Sequence, residues 1–116
     1  MLKIYGIKNC SSMKKAFDLL TALGLEYEFH DYKKQGVDAE HLQKWFAEAG
    51  QDVILNKKGT TWRKLDAQTQ QKALESESEL INTLQANTSM IKRPVLETAH
   101  GIIVGFDEDK YKALKD

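Results

Sequence analysis

The chain has 116 residues, of which 41% are hydrophobic and 29% charged; this is the balance of one globular domain that buries a core without disulfide or metal staples. Its 17 basic residues offset 17 acidic ones, so no global field draws it to nucleic acid or to an anionic membrane. No run approaches the ~18 apolar residues of a transmembrane helix, and the N-terminus reads as a strand rather than a signal peptide. Cys10 is the only cysteine. An intramolecular disulfide is therefore excluded, and the expectation is a monomer in a reducing, cytoplasmic compartment.

Leu2 to Gly6 is short and β-rich and reads as a buried strand. A loop over Ile7 to Cys10 follows, with Ser11 or Ser12 placed to cap a helix. That helix carries Met13, Ala16, Phe17, Leu20 and Leu23 on one face and stops at Gly24. Glu26 to Tyr32 alternates as a second strand, and a right-handed crossover makes the two strands parallel. After Gly36, Asp38 caps a helix with Leu42, Trp45, Phe46 and Ala49 at helical spacing. Residues 51–87 contain no strand pattern. They read as a turn at Val53-Ile54-Leu55, a short helix after Gly59-Thr60-Thr61, a helix over Asp66 to Leu74, and a capping box Ser76-x-x-Glu79 ahead of Leu80, Ile81 and Leu84.

Pro94 to Glu97, a turn over Thr98 to Gly101, and Ile102 to Val104 read as a hairpin. Asp107 caps a last helix with Tyr111 and Leu114 inward. The order predicts an α/β fold: a four-stranded mixed sheet flanked by helices, with an all-helical insert at about 38–90 between the second and third strands of a single domain, 1–116.

Cys10 falls between the first strand and the first helix. There, unpaired N–H groups and the positive end of the helix dipole favour a thiolate, and Lys14 and Lys15 add positive charge one turn on. Such surroundings lower a thiol pKa, and the thiolate is the nucleophile. A buried, inert cysteine is the alternative, but the polar context Lys-Asn-Cys-Ser-Ser argues against it. Pro94, the only proline, opens the third strand either as a cis residue near the thiol or as an ordinary trans strand-start. Arg93 would then lie near Cys10, able to hold an oxyanion or carboxylate, or would be a solvated strand-end charge. Lys57, Lys58, Arg63 and Lys64 could offer a second anion-binding surface, or simply solvate a helix face. His30, His41 and His100 lack metal-ligand spacing, so no metal site is expected. Trp45 and Trp62 read as packing residues.

Tyr5-Gly6-Ile7-Lys8-Asn9-Cys10, the stretch Leu55 to Leu65 with its Gly-Thr-Thr-Trp-Arg-Lys-Leu string, and Ile91-Lys92-Arg93-Pro94 carry a resemblance. Along essentially its whole length the chain resembles the glutaredoxin-linked arsenate reductase (ArsC)/Spx superfamily, most of all its YffB branch. The resemblance implies a thioredoxin-like core, a cis peptide at Pro94, Cys10 as nucleophile and Arg93 as the arginine before the cis proline. Two further arginines of the arsenate reductases have no counterpart: the corresponding stretches read Leu55-Asn56-Lys57-Lys58 and Val104-Gly105-Phe106. Lys14 stands where those enzymes usually carry an arginine. The Cys-x-x-Cys switch of Spx regulators is also missing, since its fourth position is Met13.

These features imply a monothiol oxidoreductase, a glutathione-dependent thiol/disulfide reductase with no bound cofactor and glutathione as co-substrate. Asn9, Ser11, Ser12, Lys14, Arg93 and Pro94 would form its anion or glutathione site, with insert contacts from Lys57, Lys58 and Arg63. The N–H groups of Ser11 and Ser12 would stabilise the thiolate. Glutathione, a small disulfide substrate or a glutaredoxin would be the partner. An arsenate reductase, and an Spx-like module that binds protein without catalysis, are the competing readings.

Overall fold

The structure, a computed structural model, describes residues 2–115; Met1 and Asp116, the ends of the expected domain, lie outside them. The described residues divide into two compact units, one built from the chain up to Gln35 and from Arg93 onward, the other from Gly36–Lys92.

The first unit holds the sheet. Strands β1 (Leu2–Gly6), β2 (Tyr27–Asp31), β3 (Val95–Thr98) and β4 (Gly101–Val104) are arranged β2-β1-β3-β4. β1 and β2 are parallel, and the other two pairings are antiparallel. Around the sheet are α1 (Ser11–Ala22), α2 (Tyr32–Gln35) and, after the hairpin, the last helix, Glu108–Ala113. One sheet face carries Ile4 and Leu96, which form a fully buried cluster with Met13, Ala16 and Leu20 of α1 and Tyr111 of the last helix. The helical periodicity read from the sequence thus corresponds to the packed face of α1. Gly6 is required by this contact, because a Cβ there would run into the side chain of Met13. The α1 N-terminus is therefore drawn tightly against the end of β1.

Several boundaries differ from the sequence reading: the hairpin strands take in Thr98 and Gly101, which the pattern assigns to the turn, and β3 starts at Val95 rather than Pro94. Helix α1 begins at Ser11 with Cys10, in extended conformation, as its N-cap residue, and the Cys10 carbonyl accepts the Lys14 N–H at 3.0 Å. The serines expected as caps are the first two helical residues instead. β2 ends at Asp31, whose carboxylate accepts the Lys33 N–H at 2.9 Å and so starts α2 at Tyr32. A local side-chain bond of this kind competes with strand pairing.

The second unit is built from helices. It contains α3 (Ala39–Ala49), α4 (Gln51–Ile54), α5 (Thr60–Arg63), α6 (Ala67–Glu75) and α7 (Glu77–Ala86), followed by a 3₁₀ turn at Thr88–Met90; the helix at the chain's end is then α8 (Glu108–Ala113). Asp38, Asp66 and Ser76 cap α3, α6 and α7 by accepting the N–H three residues on, each satisfying an otherwise orphaned donor. Leu42, Trp45, Leu80 and Leu84 are fully buried. Leu55 does not continue a helical turn but forms a β-bridge with Ile91, flanked by Asn56 N–H to Met90 O at 2.8 Å and Lys92 N–H to Ile54 O at 2.7 Å.

Candidate active site

The sheet topology brings three segments of the first unit to one end. β1 runs into Cys10, β2 runs into Tyr32, and antiparallel β3 starts from Arg93-Pro94. The Arg93–Pro94 peptide is cis. Pro94 is buried, and its carbonyl accepts the Gly105 N–H at 2.8 Å, which ties the start of β3 to the end of β4.

Cys10 is partly exposed and occupies the N-cap position of α1. A side chain at this position reaches the N–H groups two and three residues on. The sulfur does not close a regular capping hydrogen bond. Its anion is nonetheless stabilised from that direction. Burial is the largest single influence and raises the thiol pKa. The Met13 N–H, a hydrogen bond from the Arg93 side chain, the Ser12 N–H and the Arg93 charge together outweigh it, leaving the pKa below its ordinary value. The N–H groups that favour the anion are thus those of Ser12 and Met13, the second and third residues after the cap position, and the expected Ser11 N–H is not among them.

Lys8, Asn9, Ser11, Lys14, Phe17 and Asp18 line, with Cys10, an open groove of about 520 Å³. Lys14 is directed to Asp18, with Nζ 3.0 Å from the carboxylate, and both are exposed. The cation acting on the sulfur is therefore Arg93, contributed from the far end of the sequence, whereas the adjacent lysine is engaged within its own helix. Lys57, Lys58 and Arg63 belong to the helical unit, where all three are exposed and Lys57 approaches Asp52 at 3.6 Å. Among the described residues, no group of three or more His, Cys, Asp or Glu side chains is placed to hold a metal ion, and no helix is long and apolar enough to cross a membrane.

Sequence reasoning missed two parts of this region. Lys8, Phe17 and Asp18 line the groove; helical spacing identifies Phe17 as an inward residue, and it does lie edge-on to Phe29 at 5.1 Å. Behind the site, Tyr5, His30, Tyr32 and Glu97 form a polar cluster that only strand register could have brought together.

The ArsC family model matches residues 5–114. An uncharacterized protein of Haemophilus influenzae is 36% identical over 113 residues, 97% of each chain. The global transcriptional regulator Spx of Streptococcus mutans is 25% identical over 97% of this chain and 82% of its own. Among solved structures, a YffB protein superposes at a TM-score of 0.91 with 46% identity over all of both chains. An arsenate reductase (ArsC) related protein from Brucella melitensis superposes at 0.73, with 43% identity over 97% of this chain and 92% of that one. The sheet order, the cysteine at the start of α1 and these matches agree: the fold is thioredoxin-like, and the chain belongs to the ArsC family.

Proposed function

We propose that this protein is a monothiol oxidoreductase that uses Cys10 as nucleophile and glutathione as co-substrate. The observation that carries the reading is the Arg93 guanidinium and the N–H groups of Met13 and Ser12 acting together on the sulfur of the chain's only cysteine. The Cys10 thiolate attacks the glutathionyl sulfur of a mixed disulfide R–S–S–G. The S–S bond breaks, R–S⁻ leaves, and Cys10–S–S–G forms. A second glutathione thiolate attacks the glutathionyl sulfur of that adduct, releasing oxidised glutathione and regenerating the Cys10 thiolate. Arg93 and the helix-start N–H groups stabilise the sulfur anion each time it is freed. Met13 at the fourth position leaves no internal thiol to resolve the adduct, so resolution comes from outside, from glutathione or a glutaredoxin.

The groove of about 520 Å³ supports a peptide-sized substrate, since sites of this volume suit molecules much larger than a tetrahedral oxyanion. Arsenate reduction by the same thiol is the second reading, favoured by the pairing of Cys10 with Arg93. Arsenate brings about two negative charges, and charge-assisted hydrogen bonds are worth about 1.5–3 kcal/mol each. Only one of the three arginines that the family's arsenate reductases use is present in the sequence. Glutathione instead spreads its carboxylates along a peptide, so single contacts spaced along the groove, from Asn9 and Lys14, suffice.

The test treats reduced protein with oxidised glutathione and weighs it by mass spectrometry, alongside a coupled arsenate assay with glutathione and glutaredoxin. The expected result is one glutathionyl group on Cys10, none on Cys10→Ser, and little or no arsenate turnover. Robust arsenate turnover with no adduct would reverse the order of the two readings.

A further inference from the structure

The reaction above leaves unused a polar cluster of two buried tyrosines, Tyr5 and Tyr32, with the half-buried His30 and Glu97. Tyr5 and Tyr32 are 2% and 1% exposed. The Tyr5 hydroxyl donates to Glu97 Oε1 at 2.9 Å, and its ring lies 4.8 Å from that of His30. Register accounts for this. Tyr5 is opposite His30 on β2 and Val95 on β3, and Glu97, two residues beyond Val95, shares its face.

Tyr32 opens α2 at the same sheet end. Burial pushes its phenol pKa well up, the Tyr5 phenol and Glu97 carboxylate push the same way, and Arg93 opposes them. Glu97 and Arg93, an anion and a cation, both act on one buried hydroxyl, and the Nε atom of Arg93 is itself buried. Both charges are half-buried, so their mutual attraction is less screened than between fully exposed charges. A guanidinium has five donors in a rigid fork, so it can face a carboxylate and a thiolate at once. The remaining charged groups on this sheet face, Lys3 opposite Glu97 and Glu28 opposite Lys3, are exposed.

We propose that Glu97 is a positioning residue for Arg93: its carboxylate, fixed by the Tyr5 hydroxyl, holds the guanidinium in the place where it meets the Cys10 sulfur. The proposal rests on the reading that Arg93 serves Cys10. Its chemistry has a distinctive sign. Acting directly through space, a carboxylate disfavours a nearby thiolate, so its removal would make Cys10 more acidic. Acting through Arg93, its removal makes Cys10 less acidic.

The experiment is a thiolate titration by absorbance at about 240 nm on the reduced wild type, Glu97→Gln, Arg93→Gln and the double variant. Glutamine keeps an acceptor for Tyr5 and removes only the charge. The expected result is an upward shift of the Cys10 midpoint in Glu97→Gln, toward the Arg93→Gln value, and no further shift when it is added to Arg93→Gln. Tyr5→Phe, which leaves the carboxylate unfixed without deleting it, shifts the midpoint the same way by less, and it serves if Glu97→Gln does not fold. A downward shift, no shift, or an equal rise with and without Arg93 overturns the proposal. If Arg93→Gln itself leaves the midpoint unmoved, the reading beneath the proposal fails first, and the two failures are told apart.

Discussion

Replacing Arg93 with glutamine tests the source of Cys10 activation, because Arg93 acts on the sulfur both as a hydrogen-bond donor and as a charge. A hydrogen bond to a charged group is worth about 1.5–3 kcal/mol. At about 1.36 kcal/mol per pKa unit, that is roughly one to two units. Both residues are partly open to solvent, and screening brings the expected rise down to about one unit. The kinetic consequence changes sign with pH. A rise of one unit cuts the thiolate fraction about tenfold at acid pH, while a Brønsted slope of about 0.4–0.5 makes the more basic thiolate about threefold more nucleophilic. Arg93→Gln should therefore react with a neutral disulfide such as hydroxyethyl disulfide about three- to fourfold more slowly than wild type at a pH below both pKa values. Above both pKa values it should react about threefold faster. The assay is a second-order rate profile from pH ~4 to ~10. Profiles that run parallel without crossing, or that coincide, would refute the assignment of Arg93 to the thiolate.

Gly6→Ala places a methyl against the Met13 side chain, which is fully buried; urea unfolding should report a loss of about 1–3 kcal/mol, as for other overpacked cores, and an unchanged midpoint would mean that Met13 has room to yield. Tyr111 is fully buried, and its hydroxyl has no hydrogen-bond partner among the described residues; burial, helped by Asp107, pushes its phenol well above the ordinary range. Its unfolded phenol ionises first, so the stability linked to the neutral group is full below pH ~10 and lost as pH rises above it. Tyr111→Phe should match or exceed wild-type stability at pH 7, by up to about 1 kcal/mol, and lose less stability under alkaline conditions; a clear loss at pH 7 would reveal a hydrogen bond to the hydroxyl.

Most of the secondary structure was legible because its determinants are local. The apolar spacing of Met13, Ala16 and Leu20 and the capping side chains of Asp38, Ser76 and Asp107 act within one or two turns, and they appear where the pattern puts them. Hidden features depend on distant pairing. Leu55 lies in an apolar triplet that also reads as helix, and its bridge to Ile91 is set by a strand-like approach 36 positions along the chain. The same limit governs the site. Cys10 announces itself by its place between a strand and a helix, but proximity in sequence favours Lys14 as its cation. In the fold, Lys14 turns to Asp18 one helical turn away and Arg93 arrives from β3. The Tyr5–Glu97 bond crosses 92 positions and exists only because β1 and β3 pair in one register. A slip of one strand by one residue would put the two side chains on opposite faces.

The central claim is that folding makes Cys10 a stabilised thiolate, and titrating it in the reduced native protein and again in urea tests that most directly, with Cys10→Ser as the blank. A folded-state pKa below the unfolded one means that thiolate-linked stability is fully present above the unfolded value, about 8.5, and is lost as pH falls through the folded one. The account predicts a native midpoint below the midpoint in urea. A native midpoint at or above it would contradict the account, leaving Cys10 an ordinary thiol at the start of a helix.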